Sequence, residues 1–177
     1  MTEIDANLEE AQRAYKEENF DDAAKKFEEI ARLLNDTGDA PRAAEMKNNA
    51  SVAWLRFGDA QAALRCAEGT AAVFAAAGDL QKQGMALGNL AAALEALGDI
   101  PAAIDSYQQS ADLFKQSGDR DLRATVLQSL SSLQMRRGKQ MEAMATMQTA
   151  LDQKPKLNWR EKFLQKLLKV PFKMLNR

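Results

Sequence analysis

Apolar residues recur at three- and four-residue intervals through most of the chain, in stretches of about 16 to 18 residues, most of which close on a glycine. Gly-Asp falls at Gly38-Asp39, Gly58-Asp59, Gly78-Asp79, Gly98-Asp99 and Gly118-Asp119, with Gly138-Lys139 at the next mark, 20 residues apart each time. Gly ends a helix in the left-handed conformation at low cost. The Asp after it can accept from the free N–H groups that open the next helix. Pro41 and Pro101, just past such an Asp, sit in a first turn, where a missing N–H does no harm. The pattern predicts helices over 3–18, 21–36, 40–57, 60–77, 80–97, 100–117, 120–137 and 140–153. Gly69, Gly84 and Gly88 fall inside these and are expected only to weaken them. No run alternates as a strand does.

The deeper period is 40 residues, two helices per unit, as in a repeat array. Ala23, Ala63, Ala103 and Ala143 fall in register. So do Phe27, Ala67, Tyr107 and Met147, and Ala31, Ala71, Ala111 and Leu151. On the first helix of each unit, Ala11, Ser51, Ala91 and Ser131 match. Small residues recur where helices must come close, and larger ones recur a turn away on the same face.

The run Ala91, Gly98, Ile100, Ala103, Tyr107 resembles the tetratricopeptide repeat. Its counterparts are Ser51, Gly58, Ala60, Ala63, Ala67, then Ala11, Glu18, Phe20, Ala23, Phe27 with the Gly replaced, and Ser131, Gly138, Gln140, Ala143, Met147. The step exceeds the usual one of about 34 residues, which is similar to kinesin light chain and the Leu-Gly-Asn repeat adaptors. The resemblance, which covers residues 3–153, implies an all-α, right-handed superhelical solenoid of four helix-turn-helix repeats, 3–38, 39–78, 79–118 and 119–153; the residues beyond it, 154–177, read by themselves as a basic amphipathic segment. It also implies a noncatalytic scaffold or adaptor that binds an extended peptide of a partner in a concave groove lined by first helices. Carried over by register, the groove residues are Gln12 and Lys16, then Asn48, Asn49 and Arg56, then Asn89, and in the last unit Gln128, Ser129, Ser132 and Arg136. An Asn amide both donates and accepts, so Asn49 and Asn89 suit a peptide backbone. The arginines suit acidic side chains or a terminal carboxylate.

Composition removes most chemistry. The chain has no His and one Cys, Cys66. That leaves out the commonest general base, a Cys/His pair and an ordinary zinc site, so no catalytic residue, metal or cofactor is expected. Cys66, among Ala and Leu, reads as a buried small residue, and acidic pairs such as Glu28/Glu29 read as solvated surface. The acidic start, MTEIDANLEE, lacks the blocks of a signal peptide, and no apolar run is long enough to span a bilayer. A cytoplasmic protein is expected, with peripheral membrane attachment as the variant.

Charge is uneven. Residues 154–177 hold eight Lys or Arg against one acid, Glu161, whereas the preceding residues hold 24 acids against 16 bases. After Pro155, a helix over 157–169 is expected, ended by Pro171. Trp159, Phe163, Leu164, Leu167, Leu168 and Val170 are assigned to its apolar half, and Lys162, Gln165, Lys166 and Lys169 to its polar half. Three roles are open: a cap over the last repeat, attachment to anionic lipid through Trp159, Phe163 and Leu167 with the lysines, or contact with nucleic acid, which ranks last. The protein-partner reading competes with a membrane tether presenting a partner, and self-association through exposed ends is a third candidate.

Overall fold

The computed structural model describes residues 3–154 and 156–175, with side chains described as far as Leu168. Pro155 and the side chains of Lys169 and Val170 lie outside the described residues. The described chain is all-α, a helical-repeat fold of ten helices: α1 Glu3–Lys16, α2 Phe20–Asp36, α3 Ala40–Phe57, α4 Ala60–Ala67, α5 Thr70–Ala76, α6 Leu80–Leu97, α7 Ile100–Ser117, α8 Arg120–Arg136, α9 Gln140–Gln153 and α10 Trp159–Leu175. It divides into two compact units, Met1–Ser106 and Tyr107–Arg177.

The turns are built alike. Two or three residues past the ends of α1, α2, α3, α5, α6, α7 and α8, a backbone N–H returns to the carbonyl five residues back: Asn19 to Ala14, Asp39 to Leu34, Asp59 to Trp54, Asp79 to Phe74, Asp99 to Leu94, Asp119 to Phe114 and Lys139 to Gln134, all at 2.9–3.0 Å. This is the Schellman closure, and it requires a left-handed residue just before that N–H. Gly58 and Gly98 supply it at φ 101° and 85°. In the first turn the register places Glu18 there, and it takes φ 60° despite its side chain. The next residue then opens the following helix. The Oδ1 atoms of Asp39, Asp59, Asp79 and Asp99 accept from the N–H groups of Arg42, Ala62, Lys82 and Ala102 at 2.8–3.3 Å. Asp119 instead accepts from the Ser117 hydroxyl.

Burial follows the 40-residue register. Ala23, Ala63, Ala103 and Ala143 are each fully buried, as are Ala11, Ser51 and Ala91, with Ser131 at 3%. In the first unit, Phe27, Ile30, Leu34, Met46 and Trp54 fill the space around these small residues. α6 packs on α3, α4 and α5, and its Gly84 is buried. In the second unit, α8 packs on α9 and α9 on α10.

Two expectations are corrected. The helix expected over 60–77 is broken into α4 and α5, because Gly69 leaves the helical region for φ 77°. The buried Thr70 fixes the break: its hydroxyl lies 2.7 Å from the Ala67 carbonyl and 3.1 Å from Asn48 Oδ1. The last helix does not end at Pro171 but continues to Leu175. The missing proline N–H forfeits one backbone bond without stopping the helix. Its start is set by a capping box that the apolar pattern does not reveal: Glu161 N–H donates to Asn158 Oδ1, and Asn158 N–H donates back to Glu161 Oε2, each at 2.9 Å.

The register offers a paired test. Ser131 Oγ donates to the Ala143 carbonyl at 2.7 Å, whereas Ser51 Oγ, in the same slot of an earlier repeat, is buried without a hydrogen-bond partner. In urea melts, Ser131→Ala should cost about 1 kcal/mol, and Ser51→Ala should be neutral or stabilising. Equal losses at both positions would contradict this assignment.

Candidate binding site

In the first unit, α1 and α3 stand on either side of an open cavity of about 360 Å³. Gln12 and Lys16, one turn apart on α1, face Asn49 and Val52, one turn apart on α3, with Tyr15 and Phe27 completing the wall. Gln12 and Lys16 are exposed, Tyr15, Asn49 and Val52 are half-buried, and Phe27 is buried. The cavity thus has an apolar floor and a rim carrying an amide on each side and one ammonium. Such a trough can hold an apolar side chain while the amides meet a backbone. Arg56, one turn past Val52, is exposed and has its guanidinium 5.2 Å from the centre of the Phe20 ring. That ring packs edge-on against Tyr15 at 5.3 Å.

The other groove residues are not brought into this cavity. Asn48 is only 7% exposed, and its amide oxygen is within hydrogen-bonding distance of the Thr70 hydroxyl. One residue along a helix turns the side chain by about 100°, so adjacent Asn48 and Asn49 serve the interior and the trough respectively. Asn89 is half-buried on α6. In the second unit, Gln128 and Ser129 are half-buried on α8, and Ser132 and Arg136 are exposed. The cavity found there, of about 410 Å³, is bounded instead by α7, α8 and α9, with Gln108, Asp112, Arg123, Thr146 and Thr149 among its lining.

A second cavity of the first unit, about 350 Å³, is lined by Glu28, Arg32, Asn35, Lys47, Arg65 and Cys66 along with Ala31. It corresponds by two repeat steps to the cavity of the second unit: Glu28 to Gln108, Arg32 to Asp112, Lys47 to Leu127, Arg65 to Ala145 and Cys66 to Thr146. The hollow repeats but its charge does not. Glu28, which the sequence pattern assigns to solvated surface, instead ties three helices together. Its Oε1 accepts from Trp54 Nε1 at 2.6 Å and from Cys66 Sγ at 3.0 Å. These partners lie 26 and 38 residues away, so no local spacing signals them. Burial, then the hydrogen bond to Glu28, pushes the Cys66 thiol up to about 12.

On α10 the apolar half divides. The helix packs against α9 with Leu168 buried and Leu164 half-buried. Gln165, assigned to the polar half, donates to Asp152 at 2.8 Å, and Lys154 pairs with Glu161 at 2.6 Å. The hydrogen bond from Lys154, then that from the Asn158 backbone, holds the Glu161 carboxyl below its ordinary value. Trp159, Phe163 and Leu167 take no share in this docking: they are 74%, 66% and 54% exposed. Lys162 and Lys166 belong to the outward side with them. Among the described residues, no helix is long and apolar enough to cross a membrane.

The raised thiol gives a direct test. Below pH 9 the thiolate population of Cys66 should be roughly a thousandfold under that of an ordinary cysteine, so Ellman's reagent at pH 8 should react correspondingly slowly. A folded-state pKa above the unfolded one means that the unfolded chain loses its proton first, so stability should fall as pH rises from about 9 towards 12. Reaction at the rate of an exposed thiol would contradict the geometry.

A crystal structure of BtubC (BKLC) from P. vanneervenii superposes with a TM-score of 0.61 at 14% identity, over 95% of this chain and 84% of that one. At that identity the likeness is one of fold. No curated protein sequence matches the chain. The family model described as soluble NSF attachment protein, SNAP, matches residues 3–169, almost the full length, and the chain therefore belongs to the SNAP family.

Proposed function

We propose that this protein is a noncatalytic interaction scaffold whose first-helix surface holds an extended segment of a protein partner. The observation that carries the reading is the convergence of Gln12 and Lys16 with Asn49 and Val52 around one apolar-floored trough. Gln12 and Asn49 each offer a donor and an acceptor, enough to grip the backbone of a strand-like peptide from both sides. Lys16 favours an acidic residue at one end of the segment, and Tyr15, Val52 and Phe27 favour an apolar residue at its middle. Membership of a family of attachment proteins supports a protein partner, and the long repeat supports the kinship with kinesin light chain and Leu-Gly-Asn repeat adaptors.

Selection from a random peptide library displayed on phage tests this. Binders should carry an acidic residue beside an apolar one. Gln12→Ala combined with Asn49→Ala should weaken the selected peptides by at least about tenfold, since two sets of backbone hydrogen bonds are lost. Circular dichroism should stay unchanged, because Gln12 is exposed and Asn49 half-buried. Selected peptides that bind the double variant as well as the wild type would refute the trough as the site.

A further inference from the structure

We propose that α10 is a membrane-surface element that binds anionic lipid through the face turned away from α9. This surface is independent of the trough, and it rests on a separation of faces that the structure makes visible. At about 100° per residue, Trp159, Phe163 and Leu167 span roughly 80° of the helix circumference. Leu164, Leu168, Glu161 and Gln165 fall on the opposite side, where Leu168 is buried, Gln165 bonds Asp152 and Glu161 holds Lys154. Packing of α10 against α9 is thus achieved without the two aromatic side chains of the described segment or Leu167. Trp159, Phe163 and Leu167 stay 74%, 66% and 54% exposed. Of the large apolar residues exposed elsewhere among the described residues, none exceeds the 56% of Phe57.

What covers the stripe is indicated by its borders. Lys162 and Lys166 flank it on one side and Arg160 on the other, and all three are exposed. The only acid of the tail, Glu161, lies on the docked side and is neutralised by Lys154 at 2.6 Å. The outward face therefore carries three cations and no anion among its described residues. A convex ridge of three apolar side chains edged by cations matches a soft, planar, negatively charged interface. The rings enter the boundary between headgroups and acyl chains, and the cations meet the lipid phosphates and carboxylates. Anchoring α10 by its opposite face to α9 fixes this ridge outward before any lipid arrives.

The full chain is mixed with vesicles of phosphatidylcholine alone, and with vesicles in which about a third of the lipid is phosphatidylserine. The protein should sediment with the anionic vesicles, less so as salt is raised, and should stay in solution with the neutral ones. Trp159→Ser with Phe163→Ser and Leu167→Ser should lower the partition by at least roughly tenfold. Arg160→Gln with Lys162→Gln and Lys166→Gln should lower it by roughly tenfold or more, on anionic vesicles only. All six positions are exposed, so the urea midpoint should not move. Brominated acyl chains should quench the tryptophan fluorescence of the wild type and not that of Trp159→Phe, since Trp54 is buried. No sedimentation with anionic vesicles, undiminished sedimentation of the serine variant, or binding of the stripe to poly-glutamate without vesicle binding would each overturn the proposal.

Discussion

Close approach of helices at small side chains is the constraint from which the rest follows. Four alanines at 40-residue intervals, Ala23, Ala63, Ala103 and Ala143, have no exposed surface at all. The slots that match them on the first helices hold only Ala or Ser. A methyl or hydroxymethyl group lets two backbones come close enough for the larger neighbours to interlock, which is how ridges enter grooves. The Schellman turns then fix where each helix reverses, so successive hairpins present the same slot in the same place. Exposed positions, outside both the slots and the larger residues that interlock around them, can carry function.

That division explains what was legible. The turn glycines, the capping aspartates and the buried small residues are local or strictly periodic, and the helices they delimit follow. Glu18 shows how strong the period is: it holds the left-handed position because the register demands it there. The break at Gly69 was not legible, because Gly69 and Gly84 look alike inside a helical pattern. Only Gly69 is followed by a Thr whose hydroxyl reaches Asn48, 22 residues upstream. The bridging role of Glu28 was hidden for the same reason, since its partners come from two other helices. Of the groove residues carried over by resemblance, Gln12, Lys16 and Asn49 meet around one cavity, and Asn48 turns inward to serve the break. In the tail, a single apolar half was expected, whereas docking uses Leu164 and Leu168 and leaves Trp159, Phe163 and Leu167 outside.

The repeat also separates scaffold from specificity. Corresponding hollows in the two units are edged by Arg32, Lys47 and Arg65 in one and by Asp112, Leu127 and Ala145 in the other. Shape is inherited with the period, and charge is set locally. The same logic applies to the trough between α1 and α3, whose rim residues are exposed or half-buried while its Phe27 floor belongs to the core. Rim residues of this kind can change without disturbing the core beneath them.

The small slots, rather than helix propensity, hold the repeats together. Urea unfolding of Ala23→Leu and Ala143→Leu beside Ala72→Leu addresses this directly. Leu is nearly as good a helix former as Ala, so propensity alone barely distinguishes the three. Ala23 and Ala143 are fully buried and Ala72 is exposed. Losses of roughly 1–3 kcal/mol are predicted at the two slots and almost none at Ala72. Slot variants as stable as the wild type would contradict the dependence of the stack on its small residues.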